Sequence, residues 1–400
     1  MRARAAMAGK PTPEKACLLV WLGGGPSHLE TYDMKPEAPE EYRGVFKPVR
    51  TVVPGMEVCE LLPRHAKIAD RFTIIRSIAH NFAGHQDGSQ HVLTGWPAVL
   101  TGGGTLPSVY PEIGCVIKRM RPQSRTGLPN YVGVPNRLGA VGPAYLGESC
   151  QPFVVGGDPN QPDFRVPNLS LPTDALVRLE DRHSLRKALD GVRRDIDSSG
   201  VMDAMDSFDR EALRLLTGKE AQRALDMSQL DPRERDRYGR TQAGQSLLLA
   251  RRLVEAGVAF VSCEISNYRE AGVDGGWDDH APKGIFETMQ RRLPVYDQAL
   301  TALIEDLYLR GLDKHVLVVV MGEFGRTPRV NAINGKPGRD HWPWAMSLLV
   351  SGGGTRTGQV IGSTDSKAER PKERPLEPLD LLATIYGFLD IDPETKFRDH

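Results

Sequence analysis

The stretch VLVVVMGEFGRTP (316–328) decides the fold. Val316–Met321 is a continuous apolar run rich in β-branched residues, closed by Gly322, and predicts a strand buried on both faces. Directly upstream, DQALTALIEDLYLR (297–310) sets apolar residues at 300, 303, 304 and 307, one face of a helix, with Gly311 as its stop. A helix feeding a doubly buried strand is the repeating unit of a parallel sheet covered on both sides. Similar runs at Cys17–Leu22, Phe72–Ile78, Val258–Glu264 and Ala345–Val350, with a weaker one at Tyr131–Pro135, predict further strands. Thr241–Ala256 predicts a second helix, stopped by Gly257. The fold class is therefore α/β, with a mostly parallel central sheet flanked by helices.

The remaining segments differ in character. Residues 176–240 are charged and helix-favouring, so a helical insertion is expected over about 176–256 within a single domain spanning 16–400. Residues 1–15, MRARAAMAGKPTPEK, are basic and Ala-rich but lack an apolar core, and read as a leader remnant or a disordered start. Gly352–Pro378 is polar and punctuated, and reads as loop with a hairpin. Lys plus Arg and Asp plus Glu both number 51 in the 400 residues, which speaks against a chain-wide footprint for nucleic acid. No apolar run approaches the roughly 20 residues of a spanning helix. Cys17, Cys59, Cys115, Cys150 and Cys263 show no CxxC spacing, and Cys17 and Cys263 read as core residues.

In open parallel sheets ligands bind beyond the carboxyl ends of the strands. The first strand is followed by Gly23–Gly24–Gly25–Pro26–Ser27–His28 and then Asp33. The second is followed by a loop carrying His80, His85, Asp87, Ser89 and His91, closed by Thr94–Gly95. Val258–Glu264 leads to Trp277–Asp278–Asp279–His280, and Val316–Met321 to Glu323, Arg326, Asp340 and His341. Six of the ten histidines thus fall in strand-end loops, each with a carboxylate or hydroxyl nearby, a donor mixture suited to Zn²⁺, Mn²⁺ or Fe. Gly23–Gly25 lacks the spacing of a dinucleotide fingerprint, and no Gly-Lys-Ser/Thr comes after it. Arg326 and Arg339, beside Glu323 and Asp340, fit either a salt bridge or an anion clamp.

VWLGGGPSHLETYDMKPEAPEEYRG (20–44), the His80–Gly95 loop, GPAYLGESCQPF (142–153), WDDH (277–280), GEFGRTP (322–328) and GRDHWP (338–343) together resemble the bacterial family called domain of unknown function 1501. The resemblance runs from about Ala16 to His400 and implies an alkaline phosphatase-like, sulfatase-like sandwich. It further implies one or two divalent ions (Zn, Mn or Ca) and hydrolysis of a phosphate or sulfate ester, small or attached to a polysaccharide. Export to the periplasm is implied as well, with the start of the chain resembling the end of a twin-arginine signal. By the same resemblance Asp278, His280, Glu323, Asp340 and His341 are the expected metal ligands, with Glu323 in place of an Asp and Phe324 where the superfamily has a His. Gly23–Gly25 stands where the superfamily has Asp ligands, leaving His28 or Asp33 as substitutes. The superfamily nucleophile lies ten residues before the Gly of a Thr-Gly, and that count back from Gly95 gives His85, with Asp87, Ser89 and His91 as neighbours. His85 is thus expected as nucleophile or acid/base and Arg326 as anion clamp. The missing nucleophile hydroxyl leaves a second reading open, a fold-retaining, non-catalytic protein that binds a carbohydrate or another anionic ligand.

Overall fold

A computed structural model of the chain describes residues 14–101, 104–121, 126–139, 141–166, 215, 218–273 and 275–397. Eight strands form the main sheet: β1 (Ala16–Trp21), β2 (Phe72–Ile78), β3 (Tyr131–Val134), β4 (Phe153–Val154), β5 (Phe260–Glu264), β6 (Val316–Met321), β7 (Met346–Gly352) and β8 (Gln359–Ile361). Their spatial order is β8-β2-β7-β6-β1-β5-β3-β4. Every neighbouring pair is parallel except the two made by β7, which runs against both β6 and β2. The sheet is thus mostly parallel, with one reversed strand that lets its start and the ends of its neighbours share an edge.

β1 sits at the centre, in register with β6 (Ala16↔Val316 to Trp21↔Met321) and with β5. All its residues are buried, as are those of β6, because helices cover both faces. Five helices matter for the site: α1 (His85–Thr94), α2 (Ile113–Met120), α3 (Gln242–Glu255), α4 (Ile285–Leu309) and α5 (Pro378–Phe388). One apolar layer gathers Leu18, Val20, Leu249, Leu300 and Val318; the other gathers Cys17, Leu19, Ile117, Leu317 and Leu382. Alternate residues of one strand therefore enter opposite layers, as a period of two dictates.

α3 starts at Thr241, whose side chain accepts the Gly244 N–H at 3.1 Å, and it packs on β1, β5 and α4. α4 begins at Ile285, twelve residues before the stretch that revealed it, and runs through Pro294. Burial of Ile285, Met289, Leu293 and Tyr296 outweighs the hydrogen bond that Pro cannot donate. The His85–Thr94 stretch, read as loop, is a helix, with Asp87 in its first turn and a left-handed Gly95 closing it. Gly352–Pro378 adds the edge strand β8 and a small antiparallel ladder, Ser363–Thr364 with Pro371–Glu373. Of the expected leader, residues 1–13 lie outside the described residues, and so do 176–214, 216 and 217 of the expected helical insertion. No described helix is long and apolar enough to cross a membrane.

Candidate metal centre

The carboxyl ends of β1, β2, β5 and β6 and the amino end of β7 lie along one edge, and the loops leaving them are stitched by backbone hydrogen bonds. Trp277 N–H donates to Gly23 O, Arg339 N–H to Asp279 O, and His80 N–H to Pro343 O, each at 2.9–3.1 Å. A short ladder, Gly325–Arg326 with His341–Trp342, adds a further stitch. Two glycines make this approach possible. Gly24 has φ +110°, and a Cβ there would lie 2.6 Å from the Asp278 nitrogen; one on Gly338 would lie 1.8 Å from that of Ala281.

His85, at the first turn of α1, Asp278 and His341 present ligand atoms that all lie within 4.8 Å of one another. Asp278 Oδ1 is the hub: His85 Nε2 lies 3.4 Å away, His341 Nε2 3.2 Å and His280 Nε2 3.0 Å. His280 Nε2 and His341 Nε2 face each other at 2.9 Å. The opposite ring nitrogens are all held by acceptors. His85 Nδ1 lies 2.6 Å from Glu323 Oε1, His280 Nδ1 2.6 Å from Asp340 Oδ1, and His341 Nδ1 2.6 Å from Ala83 O. Carbonyl and carboxylate oxygens only accept, so each of these Nδ1 atoms carries a proton and each ring turns its Nε2 toward Asp278. Such a gathering around a carboxylate calls for positive charge among its members, and Arg326 at Asp278 Oδ1 and a proton on His85 supply part of it. A divalent ion fits that requirement, and imidazoles anchored through the other nitrogen are the usual arrangement around one.

Hydrogen bonds to Asp278 and Glu323 push His85 up to about 9 against the effect of burial. Burial works to raise Asp278, but hydrogen bonds from His341, His85 and Arg326 hold its carboxyl well below the usual range. Nearby, burial pushes His80 down to about 4 and lowers His91. Burial also raises Glu264, with Glu323 adding to the effect.

The structure brings together His85, Asp278, His280 and His341 and sets Glu323 and Asp340 one bond further out. Glu323 is buried behind His85, its oxygens also accepting the Gly24 N–H at 2.9 and 3.2 Å. Asp340 holds His280 and accepts from Asn331 at 2.6 Å. Arg326, expected as an anion clamp, is fully buried; its guanidinium donates to the carbonyls of Gly24, Gly25 and Arg339 and to Asp278. Those acceptors leave it as an internal strut between three loops. Asp87, Ser89 and His91 succeed His85 along α1; Asp87 and Ser89 are buried, and His91 packs on Phe82 and His80. His28 is buried and donates to Ala368 O at 3.0 Å. Asp33 is buried against Lys35, Arg76 and Thr364. Neither reaches the centre.

Sequence reading alone missed Ala83, whose carbonyl fixes His341 and which carries no side-chain signal. It also missed two buried ion pairs that grip the ligand loops from behind, Asp279 with Arg292 and Glu30 with Arg339. Asp279 neighbours both Asp278 and His280 in sequence, which was the one available hint.

Several solved structures share the general layout at low identity. Ps i-CgsB is 12% identical, with 95% of this chain and 73% of that one covered and a TM-score of 0.44. The PsFucS1 sulfatase from Pseudoalteromonas sp. is 11% identical, with 99% and 71% covered and a TM-score of 0.40. The alkaline phosphatase from the Antarctic bacterium TAB5 is 11% identical, with 95% and 99% covered and a TM-score of 0.38. No curated protein matches the sequence. Residues 14–400 match the family described as Protein of unknown function (DUF1501), and the chain belongs to that family.

Proposed function

We propose that the protein is a metal-dependent hydrolase of phosphate or sulfate esters, with His85, Asp278 and His341 holding the ion and His280 completing or serving the site. The observation that carries this reading is the convergence of three anchored imidazole Nε2 atoms on Asp278 Oδ1. An imidazole-rich donor set favours Zn²⁺, Mn²⁺ or Fe over Ca²⁺, which takes oxygen ligands. When bound, the ion supplies Lewis-acid polarisation of an ester oxygen and lowers the pKa of water beside it.

The chain's own groups do the rest. Glu323, Asp340 and Ala83 keep the Nδ1 protons and so fix which face each ring presents. His280, a third exposed and backed by Asp340, is placed to take a proton at Nε2 from attacking water or return it to the leaving oxygen. Arg326 neutralises part of the Asp278 charge from below. His85, at the position of the superfamily nucleophile, belongs in this reading to the metal. Attack then falls to water, without a covalent intermediate on the chain. Export from the cytoplasm is part of the same reading.

The test is elemental analysis of purified protein reconstituted with Zn²⁺ or Mn²⁺, then assays on p-nitrophenyl phosphate, bis-p-nitrophenyl phosphate and p-nitrophenyl sulfate with and without chelator. Near-stoichiometric metal and chelator-sensitive turnover are expected. Metal binding without turnover of any ester would move the protein to the non-catalytic reading; absence of metal would end both forms of the site.

A further inference from the structure

A cleft of about 660 Å³ opens beside the centre, within the range of small-molecule sites. Its walls include His80, Phe82, His91, Trp344, Arg370 and Glu377. Both of its sides are continuous with the metal centre. Phe82 precedes Ala83, whose carbonyl holds His341, and His80 donates from Nε2 to Glu323 O at 2.7 Å. On the other side Trp344 lies three residues past His341 and packs edge-on against Trp342 at 4.5 Å. A ligand filling the cleft is therefore held next to whatever occupies the centre.

The lining is aromatic but not a plain apolar slot. Phe82 packs on His91 at 4.9 Å, and Arg370 lies over the Trp344 ring at 5.2 Å. Arg370 and Glu377 are the basic and acidic side chains of its lining, one of each sign. Ring faces with polar groups at their margins suit a pyranose, which presents a C–H face and an edge of hydroxyls. One charge of each sign disfavours a polyanion. Next to Pro97 of the lining, Trp96 is 52% exposed and stacks on Tyr110 at 4.4 Å with the planes 9° apart. This flat aromatic pair offers the same chemistry to further rings.

We propose that this cleft is a binding subsite for uncharged sugar rings, so that the ester handled at the metal centre is attached to a neutral saccharide. The assignment of the ester to the centre rests on the proposed function; the sugar subsite does not. The experiment uses the full chain, stripped with chelator, and saturation-transfer difference NMR with maltohexaose, cellohexaose, mannohexaose and chitohexaose, plus ι-carrageenan hexasaccharide as an anionic control. At least one neutral hexasaccharide is expected to receive saturation at its ring protons. Phe82→Ala and, separately, Arg370→Ala with Trp96→Ala should weaken that binding by about tenfold or more, as loss of an aromatic anchor does. Reconstituting the stripped chain with Zn²⁺ should leave it unchanged, which separates failure of the metal reading from failure of this one. Arg370 and Trp96 are exposed, so the second variant reports even where Phe82→Ala fails to fold. Silence from all four neutral sugars, binding of the anionic probe alone, or binding that survives both variants would overturn the subsite.

Discussion

Two histidine–carboxylate clusters in this molecule look alike contact by contact and differ in everything else. His65 Nδ1 lies 2.5 Å from Asp297 Oδ1, as short a contact as those at the candidate centre. Yet His65 is fully buried, stacks on Tyr296 at 5.3 Å, and turns an Nε2 without a hydrogen-bond partner into the core. Asp297 also accepts the N–H groups of Arg64 and His65, so α4 caps the short helix Pro63–Lys67 from the side. At the strand edge the second ring nitrogens are the point: three of them, partly exposed, meet at one carboxylate oxygen. A histidine anchored by a carboxylate is thus a rigid ring and nothing more; function requires several such rings to share an accessible focus.

The contrast is broken or sharpened by four measurements. Asp278→Asn removes the focus, so metal content after reconstitution should fall to background and turnover by more than about a hundredfold, beyond the range for outer partners. Thermal and denaturant stability of the stripped protein should change little. Asp297→Ala should do the reverse, costing about 3–5 kcal/mol in urea unfolding by stranding buried groups, with metal stoichiometry intact. If Asp297→Ala empties the centre, the two clusters are not independent.

Glu112 extends the comparison to pH. It is buried, accepts from Tyr131 at 2.7 Å, and burial pushes it up to about 7 from an ordinary 4.5. Below the unfolded value both states hold the proton, and the group is neutral in its effect. As pH rises toward 7 the unfolded chain loses the proton first, so folding stability declines across that window and the full cost is present above it. Glu112→Gln should flatten the decline and recover on the order of 2–3 kcal/mol at pH 8, read from urea midpoints at pH 4.5 and 8. Asp340→Asn is the mildest change. It weakens the hold on His280 without touching Asp278, and metal affinity should drop about tenfold to a hundredfold while the ion still binds. An unchanged affinity would detach His280 from the centre.

The fold was legible where strands are buried on both faces. β6 lies where its apolar run places it, because a doubly buried strand leaves no room for polar alternation. The reversed direction of β7 was not legible, since direction depends on the path of the loop before it. α1 escaped because HQDGSQHVLT is polar and interrupted by Gly88, so its helicity comes from tertiary contacts. Of the candidate site, Asp278, His280 and His341 were legible because they stand in loops that leave the carboxyl ends of apolar strands. The outward step of Glu323 and Asp340 was not legible, because the residue type is the same in either place and a bond's length of backbone path decides. For Arg326 both a salt bridge and an anion clamp were open, because sequence shows its charge and not the three carbonyls and the Asp278 oxygen that take its donors.

The close backbone contacts at Gly24 and Gly338 bear on how this centre can be altered. With main chain pressed on main chain at 277–278 and at 280–281, neither loop can lengthen, shift or take a side chain at those points without displacing the other. Loop-by-loop randomisation in directed evolution would therefore sample mostly collapsed sites. New specificity is more accessible at the cleft and the aromatic residues near it, where side chains rather than backbones meet, and a library confined to 82, 96, 344 and 370 would leave His85, Asp278, His280 and His341 unsubstituted.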